Sequence, residues 1–439
     1  MSRTFDEKTQ NTKEFFCPYT SNHGINRGRV VLHADLNNFF ASVECANSPD
    51  RSIFSKPVAV CGNIEMRHGI ILAKNEKAKL YGVKTGEKIS DAKKKCPSLI
   101  LMGAHYDLYM RYSRAARKIY QRYTDRVEPF GMDEAWLELT GNDGICTVED
   151  GKRVADEIRK VLKEELGITA SVGVSDNKIF AKLGSDYKKP DATTVLARDQ
   201  YQNIISPMPA SEILYVGRST AARLRSYGIT TIGDVARQNP HFLKSILGKN
   251  GEALYTYCRG EDTSPVALFG EVPAAKSMGN STTPPKDISS FSDAKLILSS
   301  LCDTVCSRLR AENTKCRGIK MNFRDINLCS FERQIKLDFA TSSARDLLAF
   351  SCRLLAESVD LEKTPLRSMG ICAIDLVPAD IPQISLFEKD GGKKDVIDST
   401  VDKLRLRFGF SCVSTALTLC DREKLGYIAR GYEVFTNLR

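Results

Sequence analysis

No stretch of about 18 consecutive apolar residues occurs in the chain, so no segment reads as a transmembrane helix. Residues 1–27 are polar and mixed in charge, with no apolar core of the kind a secretory leader needs, and they read as a flexible extension. Cysteine is present at 14 positions, but no two form Cys-x-x-Cys, which argues against a zinc ribbon and against a secreted disulfide framework. Cys302 and Cys306 would share a helix face, yet no second ligand pair lies at zinc spacing. The cysteines therefore read as buried free thiols, and the expected location is a reducing cytoplasm. Internal repeats and long low-complexity tracts are also missing.

What is present begins with length and charge. At 439 residues the chain is long enough for about three domains. Its net charge of +10 favours a polyanionic partner, but the charge is uneven. Residues 51–100 carry 11 basic and 4 acidic side chains, and residues 201–250 carry 6 and 2. Residues 101–150 reverse the balance, with 6 basic and 9 acidic. The pattern is a basic surface in pieces around an acidic centre that could hold cations.

Residues 29–35 read as a buried strand ending in Asp35, followed by a short helix over 38–45 and a second strand over 57–61. Apolar residues near a 3.6-residue period predict helices over 107–123 and 152–166, the latter closed by Gly167. Extended runs over 127–139 and 169–174 and a helix over 177–187 complete a strand–helix alternation that suggests a ferredoxin-like sandwich. Residues 200–260 show short helices and Gly-rich turns. From 276 onward, strands over 319–323, 334–339 and 369–376 and helices over 292–311 and 342–358 read as a second α+β domain.

Asp35 closes one apolar strand, and Asp133 and Glu134 open another. Buried strands that end in carboxylates are costly unless the charge is compensated, and two acids brought together raise each other's pKa unless a cation lies between them. Magnesium answers that need, because it prefers oxygen ligands shared between carboxylates and phosphates. A pair of such ions can support an in-line phosphoryl displacement. On spacing alone the competing reading is a strand-end Asp that caps the next helix.

The surrounding motifs carry more. They are His33-Ala34-Asp35-Leu36-Asn37-Asn38-Phe39-Phe40-Ala41-Ser42-Val43-Glu44, then Gly131-Met132-Asp133-Glu134-Ala135-Trp136-Leu137, then Ser171 to Ser185 and on to Lys188-Lys189-Pro190. In these runs, in their order, the chain resembles the Y-family DNA polymerases of the DinB/UmuC-like translesion group, from about residue 29 to 387. The resemblance implies a right-hand α+β enzyme with a ferredoxin-like palm, small fingers, a helical thumb with a helix–hairpin–helix, and an α+β little finger. It implies that Asp35 and Asp133 bridge two Mg²⁺ ions, that Leu36 lends its backbone carbonyl, and that Glu134 sits on the catalytic-metal side. Backbone amides around Asn38, Phe39 and Phe40 would cradle a triphosphate at a helix start. Phe40 takes the position of the steric gate that excludes a 2′-hydroxyl, a choice that helix period alone leaves open between Phe39 and Phe40. Lys79 and Lys189 take triphosphate-binding positions.

Two positions depart from the family pattern. Asn37 stands where a third acid is frequent. In the run from Ala73 to Val83, Glu76 and Lys79 stand where many relatives have Tyr and Arg. Lys79 supplies the charge of Arg without its bidentate fork. Glu76 would repel a triphosphate, so it is expected to turn away or to pair with a lysine, and Lys74 is a possible substitute cation.

Residues 215–224 with 228–234 resemble the family's helix–hairpin–helix, which would offer Gly217 and Thr220 to a DNA phosphate without reading bases, although Ser219 replaces the usual second Gly. Residues 276–281 and 316–324 resemble little-finger strands. There Lys276, Lys320 and Arg324 would meet the duplex backbone, Lys320 and Arg324 sharing one sheet face by the two-residue period. Gln383-Ile384-Ser385-Leu386-Phe387 matches a bacterial sliding-clamp peptide, with Leu386 and Phe387 as apolar anchors and Gln383 and Ile384 beside them.

The resulting expectation is a DNA-templated DNA polymerase using two Mg²⁺ ions and dNTPs on primer–template DNA, aided by a sliding clamp, monomeric and not membrane-bound. Its parts are an extension at 1–27, a palm at 28–46 and 106–199, and fingers at 47–105. A thumb follows at 200–262, a linker at 263–275, a little finger at 276–382, and a clamp peptide and tail at 383–439. Two rivals stay open: another palm-type enzyme such as a nucleotidyl cyclase, and a non-catalytic DNA-damage scaffold that binds the clamp.

Overall fold

The computed structural model describes residues 28–62, 69–142, 144–145, 147–197, 200–271, 273–379, 393–409 and 412–416. The N-terminal extension and the clamp-type peptide fall outside these residues. Two compact units divide the chain near residue 271.

In chain order the first unit contains β1 (Val31–Leu36), α1 (Phe39–Asn47), β2 (Val58–Cys61), β3 (Ile71–Lys74), α2 (Glu76–Leu80), α3 (Ile89–Lys95), β4 (Ile100–Gly103), α4 (Tyr106–Tyr120), β5 (Val127–Pro129), β6 (Glu134–Glu138), α5 (Val148–Leu166), β7 (Ala170–Ser175), α6 (Lys178–Tyr187) and β8 (Thr193–Val195). Four helices follow, α7 (Arg218–Arg225), α8 (Ile232–Ala236), α9 (Pro240–Leu247) and α10 (Lys249–Cys258).

The main sheet has the order β5-β6-β1-β7-β8. Its first four strands, with α4 and α5 as crossovers, form the ferredoxin-like β-α-β-β-α-β arrangement, and β8 adds a parallel edge. Burial of every β1 residue follows from its central place, with antiparallel partners on both sides and cover on both faces. Leu32, Ala34 and Leu36 pack with Leu137 and Val172 against Tyr109, Ile119, Ile158 and Leu162 of α4 and α5. On the opposite face Val31 and Trp136 meet Ala181 of α6. Helix α5 is bounded by a capping box between Thr147 and Asp150 and by Gly167 in the left-handed region at φ 68°.

Helix α6 lies unusually close to β7. A Cβ on Gly173 would fall 1.9 Å from the Ala181 carbonyl oxygen, so only glycine permits this approach. The close crossing brings Lys182 and Ser185 down onto the end of β1.

A second sheet, β3-β2-β4, packs Ala59, Cys61, Ile71 and Val83 against Ala78 of α2 and Ala92 of α3. Helix α2 begins at Asn75, whose side chain accepts from the Ala78 N–H at 2.9 Å. Helices α7 to α10 gather around Leu224, Ile232, Leu243 and Leu254, joined by Phe180 and Leu183 of α6.

The expected linker over 263–275 differs from a solvated connector in its first part. Val266 is fully buried beside Val31 and Trp136. Arg29 donates to the Ser264 carbonyl at 2.6 Å, Arg126 to the Val266 carbonyl at 3.2 Å, and the Ala267 N–H donates to Glu128 at 3.0 Å. Its Pro and acidic composition reads as linker, but these partners come from sequence-distant strands.

The second unit contains β9 (Met278–Thr282), α11 (Phe291–Ala311), β10 (Thr314–Asp325), β11 (Ser330–Thr341), α12 (Ala344–Ser358), β12 (Leu366–Pro378) and α13 (Lys393–Phe408). Its antiparallel sheet has the order β11-β10-β12-β9. Ile319, Met321 and Phe323 face α11 and α12, and Cys302 and Cys306 are wholly buried in that core, where desolvation pushes both thiols up. Helix α13 is pinned to α11 by Arg405–Asp303 at 2.8 Å and by Arg310–Asp402.

Candidate active site

Asp35 is the penultimate residue of β1 and pairs directly across the ladder with Glu134, the first residue of β6. Asp133 immediately precedes that strand, and its carbonyl accepts from the Leu36 N–H at 3.0 Å. Strand pairing alone thus brings together three carboxylates separated by about a hundred residues of chain. They line a cavity of about 300 Å³ with the Leu36 backbone, Asn38, Phe39, Phe40, Lys74 and Lys189. A larger hollow of about 820 Å³, beside Arg29, Glu138 and Asp262, contains none of the three acids.

The acids are in three different electrostatic situations. Lys182 Nζ lies 3.2 Å from Asp35 Oδ2 and 2.9 Å from Glu134 Oε2, and Lys189 Nζ lies 2.7 Å from Asp35 Oδ2. Burial opposes ionisation of Glu134, but His33 at 3.2 Å and Lys182 outweigh it and hold this carboxyl well below its usual range. Asp133 has no ion-pair partner among the described residues. Burial first, then the neighbouring Asp35 and Glu134, push its carboxyl up to about 6. Lys182 stays protonated, since its acidic neighbours outweigh the effect of burial. Burial lowers the His33 pKa, and its Nδ1 is held 2.9 Å from Ser185 Oγ.

Whether these residues suit a divalent cation is a question of donor chemistry. Carboxylates and a backbone carbonyl form an all-oxygen set, and the uncompensated Asp133 is the feature a hard cation would relieve. Among the described residues no three acidic, His or Cys side chains already converge on one point, and Lys182 and Lys189 occupy Asp35 and Glu134. The set fits such an ion once the lysines yield.

Helix α1 starts beside the acids. Asn38 adopts φ 50° and ψ 38°, and its side chain makes no cap to the helix. Phe39 is 3% exposed and belongs to the core, Phe40 is half-buried, and both border the cavity. The Phe40 ring stacks on Tyr109 with centroids 4.2 Å apart, and the Tyr109 hydroxyl donates to buried Glu44. Lys189 lines the cavity, but Lys79 does not: it lies 3.7 Å from Glu76 on α2. Glu76 in turn accepts from Asn38 Nδ2 at 3.0 Å. Asn37, in place of a third acid, is buried and donates to Ser171 Oγ at 2.9 Å.

Comparison with known proteins finds relatives over most of the chain. The impB/mucB/samB family matches residues 34–186, its C-terminal domain matches 275–386, and a thumb domain described for DNA polymerase-iota matches 215–262. A DNA polymerase IV of Acetivibrio thermocellus is 45% identical over 90% of this chain and 98% of its own length. A DNA polymerase IV of Clostridium acetobutylicum is 31% identical over 90% of this chain and all of its own length. A solved Y-family DNA polymerase chimera superposes with a TM-score of 0.69 at 26% identity, covering 80% of this chain and 99% of that one. The chain belongs to the Y family of DNA polymerases.

The remaining expected contact residues of the polymerase fall on other elements or outside the described residues. Gly217 is exposed and opens α7, and Thr220 lies in its first turn; the element before them is a 3₁₀ turn over Ala210–Glu212 rather than a full helix. Lys276 is exposed just before β9. Lys320 and Arg324 alternate with buried Ile319, Met321 and Phe323 on β10, so they share the outer sheet face. Gln383, Ile384, Leu386 and Phe387 lie outside the described residues. Among these residues no helix is long and apolar enough to cross a membrane. Lys182, His33 and Glu44 fall within the motifs without an expected role, and Tyr109 lies outside them. A lysine one helical turn before Asp186 and two turns before Lys189 was the available signal for Lys182.

Proposed function

We propose that this polymerase adds dNTPs to a primer 3′ end opposite a DNA template by two-metal-ion phosphoryl transfer, and that it serves low-fidelity translesion synthesis. The observation that carries the reading is the convergence of Asp35, Asp133 and Glu134 on one cavity with the start of α1 and Phe40. Asp35, Asp133, Glu134 and the Leu36 carbonyl would hold the Mg²⁺ ions, which when bound would neutralise charge on the transferring phosphate and favour the primer oxyanion. Lys182 and Lys189 keep the acids paired until then. Lys189, released from Asp35, would be free to meet a phosphate as a point charge. Phe40, backed by Tyr109, would stand where a ribose 2′-hydroxyl would intrude. We further propose that Gln383, Ile384, Leu386 and Phe387 engage a sliding clamp, and that Gly217, Thr220, Lys276, Lys320 and Arg324 hold DNA phosphates around a monomeric enzyme.

Primer extension with Mg²⁺ tests the reading. The wild-type chain is expected to extend with dNTPs, and Asp133→Asn to lose on the order of a thousandfold in rate. No extension by wild type refutes the polymerase reading in favour of a scaffold or a cyclase, and extension that survives the substitution refutes the metal assignment. In the same assay with ribonucleotides, Phe40→Ala should raise their incorporation at least about tenfold relative to deoxynucleotides. Unchanged sugar selectivity would move the gate elsewhere.

A further inference from the structure

The fingers residue that lines the cavity is not the one that the family motif selects. Lys79 and Glu76 occupy each other, with Nζ 3.7 Å from Oε2, and neither borders the cavity. The other Glu76 oxygen accepts from Asn38 Nδ2 at 3.0 Å. Asn38 would ordinarily cap α1 with its side chain, but here that side chain is directed to Glu76 while its backbone sits at φ 50°. The first amides of α1 are therefore left without a side-chain cap. One oxygen of the acid that should repel a triphosphate thus accepts a hydrogen bond, and the other faces the Lys79 ammonium.

Lys74, the last residue of β3, lines the cavity with Asn38, Phe40 and Lys189. Its Nζ donates to Thr85 Oγ1 at 3.1 Å, and Thr85 also lines the cavity. No carboxylate stands within ion-pair distance of Lys74 among the described residues, so this ammonium, unlike Lys189, feels acids (Glu76 and Glu87) only at longer range. Burial and the nearby Lys79 lower its pKa, a cost that an anion in the cavity would remove.

We propose that Lys74, steadied by Thr85, is the fingers cation that receives the triphosphate of the incoming nucleotide, and that Glu76 is a positioning residue that holds Asn38 and sequesters Lys79. The inference rests on the polymerase reading above. A charge-assisted contact of this kind is worth about tenfold or more in affinity.

Single-nucleotide insertion by the full chain on a fixed primer–template decides it. Lys74→Ala should raise KM for dNTP about tenfold with a smaller change in kcat, Lys74→Arg should recover most of that loss, and Lys79→Ala should raise KM by under about threefold. A Lys79→Ala effect equal to or larger than that of Lys74→Ala overturns the assignment, as does a Lys74→Ala effect below about threefold. Affinity of Lys74→Ala for primer–template without nucleotide, read by fluorescence anisotropy, should stay within about twofold of wild type; a loss there matching the KM change would make Lys74 a DNA or folding residue and overturn the assignment too. A wild-type chain that inserts nothing overturns the polymerase reading and this assignment with it. Failure of the Lys74 variants in an active enzyme overturns this assignment alone.

Discussion

Asp133 differs from its two neighbours in a way that has a thermodynamic consequence. Asp35 and Glu134 are each held by lysines, whereas Asp133 is buried against like charge and its carboxyl rises from 3.8 to about 6. Between those values the folded protein keeps a proton that the unfolded chain has released, so stability falls as pH rises through that window. Above it the ionised carboxylate remains a net cost on the order of 3 kcal/mol. In EDTA, Asp133→Asn should therefore increase the unfolding free energy by about that amount at pH 8 and change it little at pH 4. Urea melts at the two pH values measure this, and equal effects at both would show that the carboxylate is not the uncompensated charge. Added Mg²⁺ should stabilise the wild type and not the variant.

The placement of α6 shows how an element aims side chains at a site. Gly173 and Gly184 let the helix rest on β7, and from there Lys182 and Ser185 reach Asp35 and His33. Gly173→Ala would set a methyl 1.9 Å from a backbone oxygen, so α6 must move outward. The expected cost is about 2 kcal/mol or more, with a fall in kcat that exceeds any change in primer–template affinity. A variant of wild-type stability and rate would show that the glycine contact does not position Lys182. At this scale the strands and helices of the palm were legible in the sequence because β1 and β7 are rich in apolar and small residues and α5 carries both of its end signals, Thr147 with Asp150 and Gly167. The segment around Val266 was not, because its order depends on Arg29, Arg126 and Glu128, which no local pattern ties to it. The orientation of Glu76 was likewise set by a partner 38 residues away, Asn38. The acid trio was readable in type and spacing, but the lysines that occupy it are a product of the helix crossing.

Across the whole molecule, the net +10 resolves into local roles. The acidic stretch over 101–150 contains Asp133 and Glu134, and the basic stretch over 51–100 contains Lys74, Lys79 and the acid Glu76 that offsets Lys79. In the second unit the charge lies on the open face of β10, where Asn322 and Arg324 are exposed and Lys320 sits beside Glu332 at 3.3 Å. An exposed pair of this kind is weak, so Lys320 can exchange Glu332 for a phosphate at little cost. If this face lies on duplex DNA, each neutralised phosphate contributes about 0.9 to the salt dependence of binding. Replacing Lys320 and Arg324 together by Ala should then reduce the slope of log K against log salt by between about 1 and 2. The loss should be the same for unrelated duplex sequences, because phosphate contacts carry no base information. Rates of insertion at saturating DNA and dNTP should be kept, since neither residue borders the catalytic cavity. Anisotropy titrations of a primer–template at four salt concentrations would measure the slope. An unchanged slope would remove this sheet face from the DNA interface, and a slope change confined to one sequence would make it a base-reading surface instead.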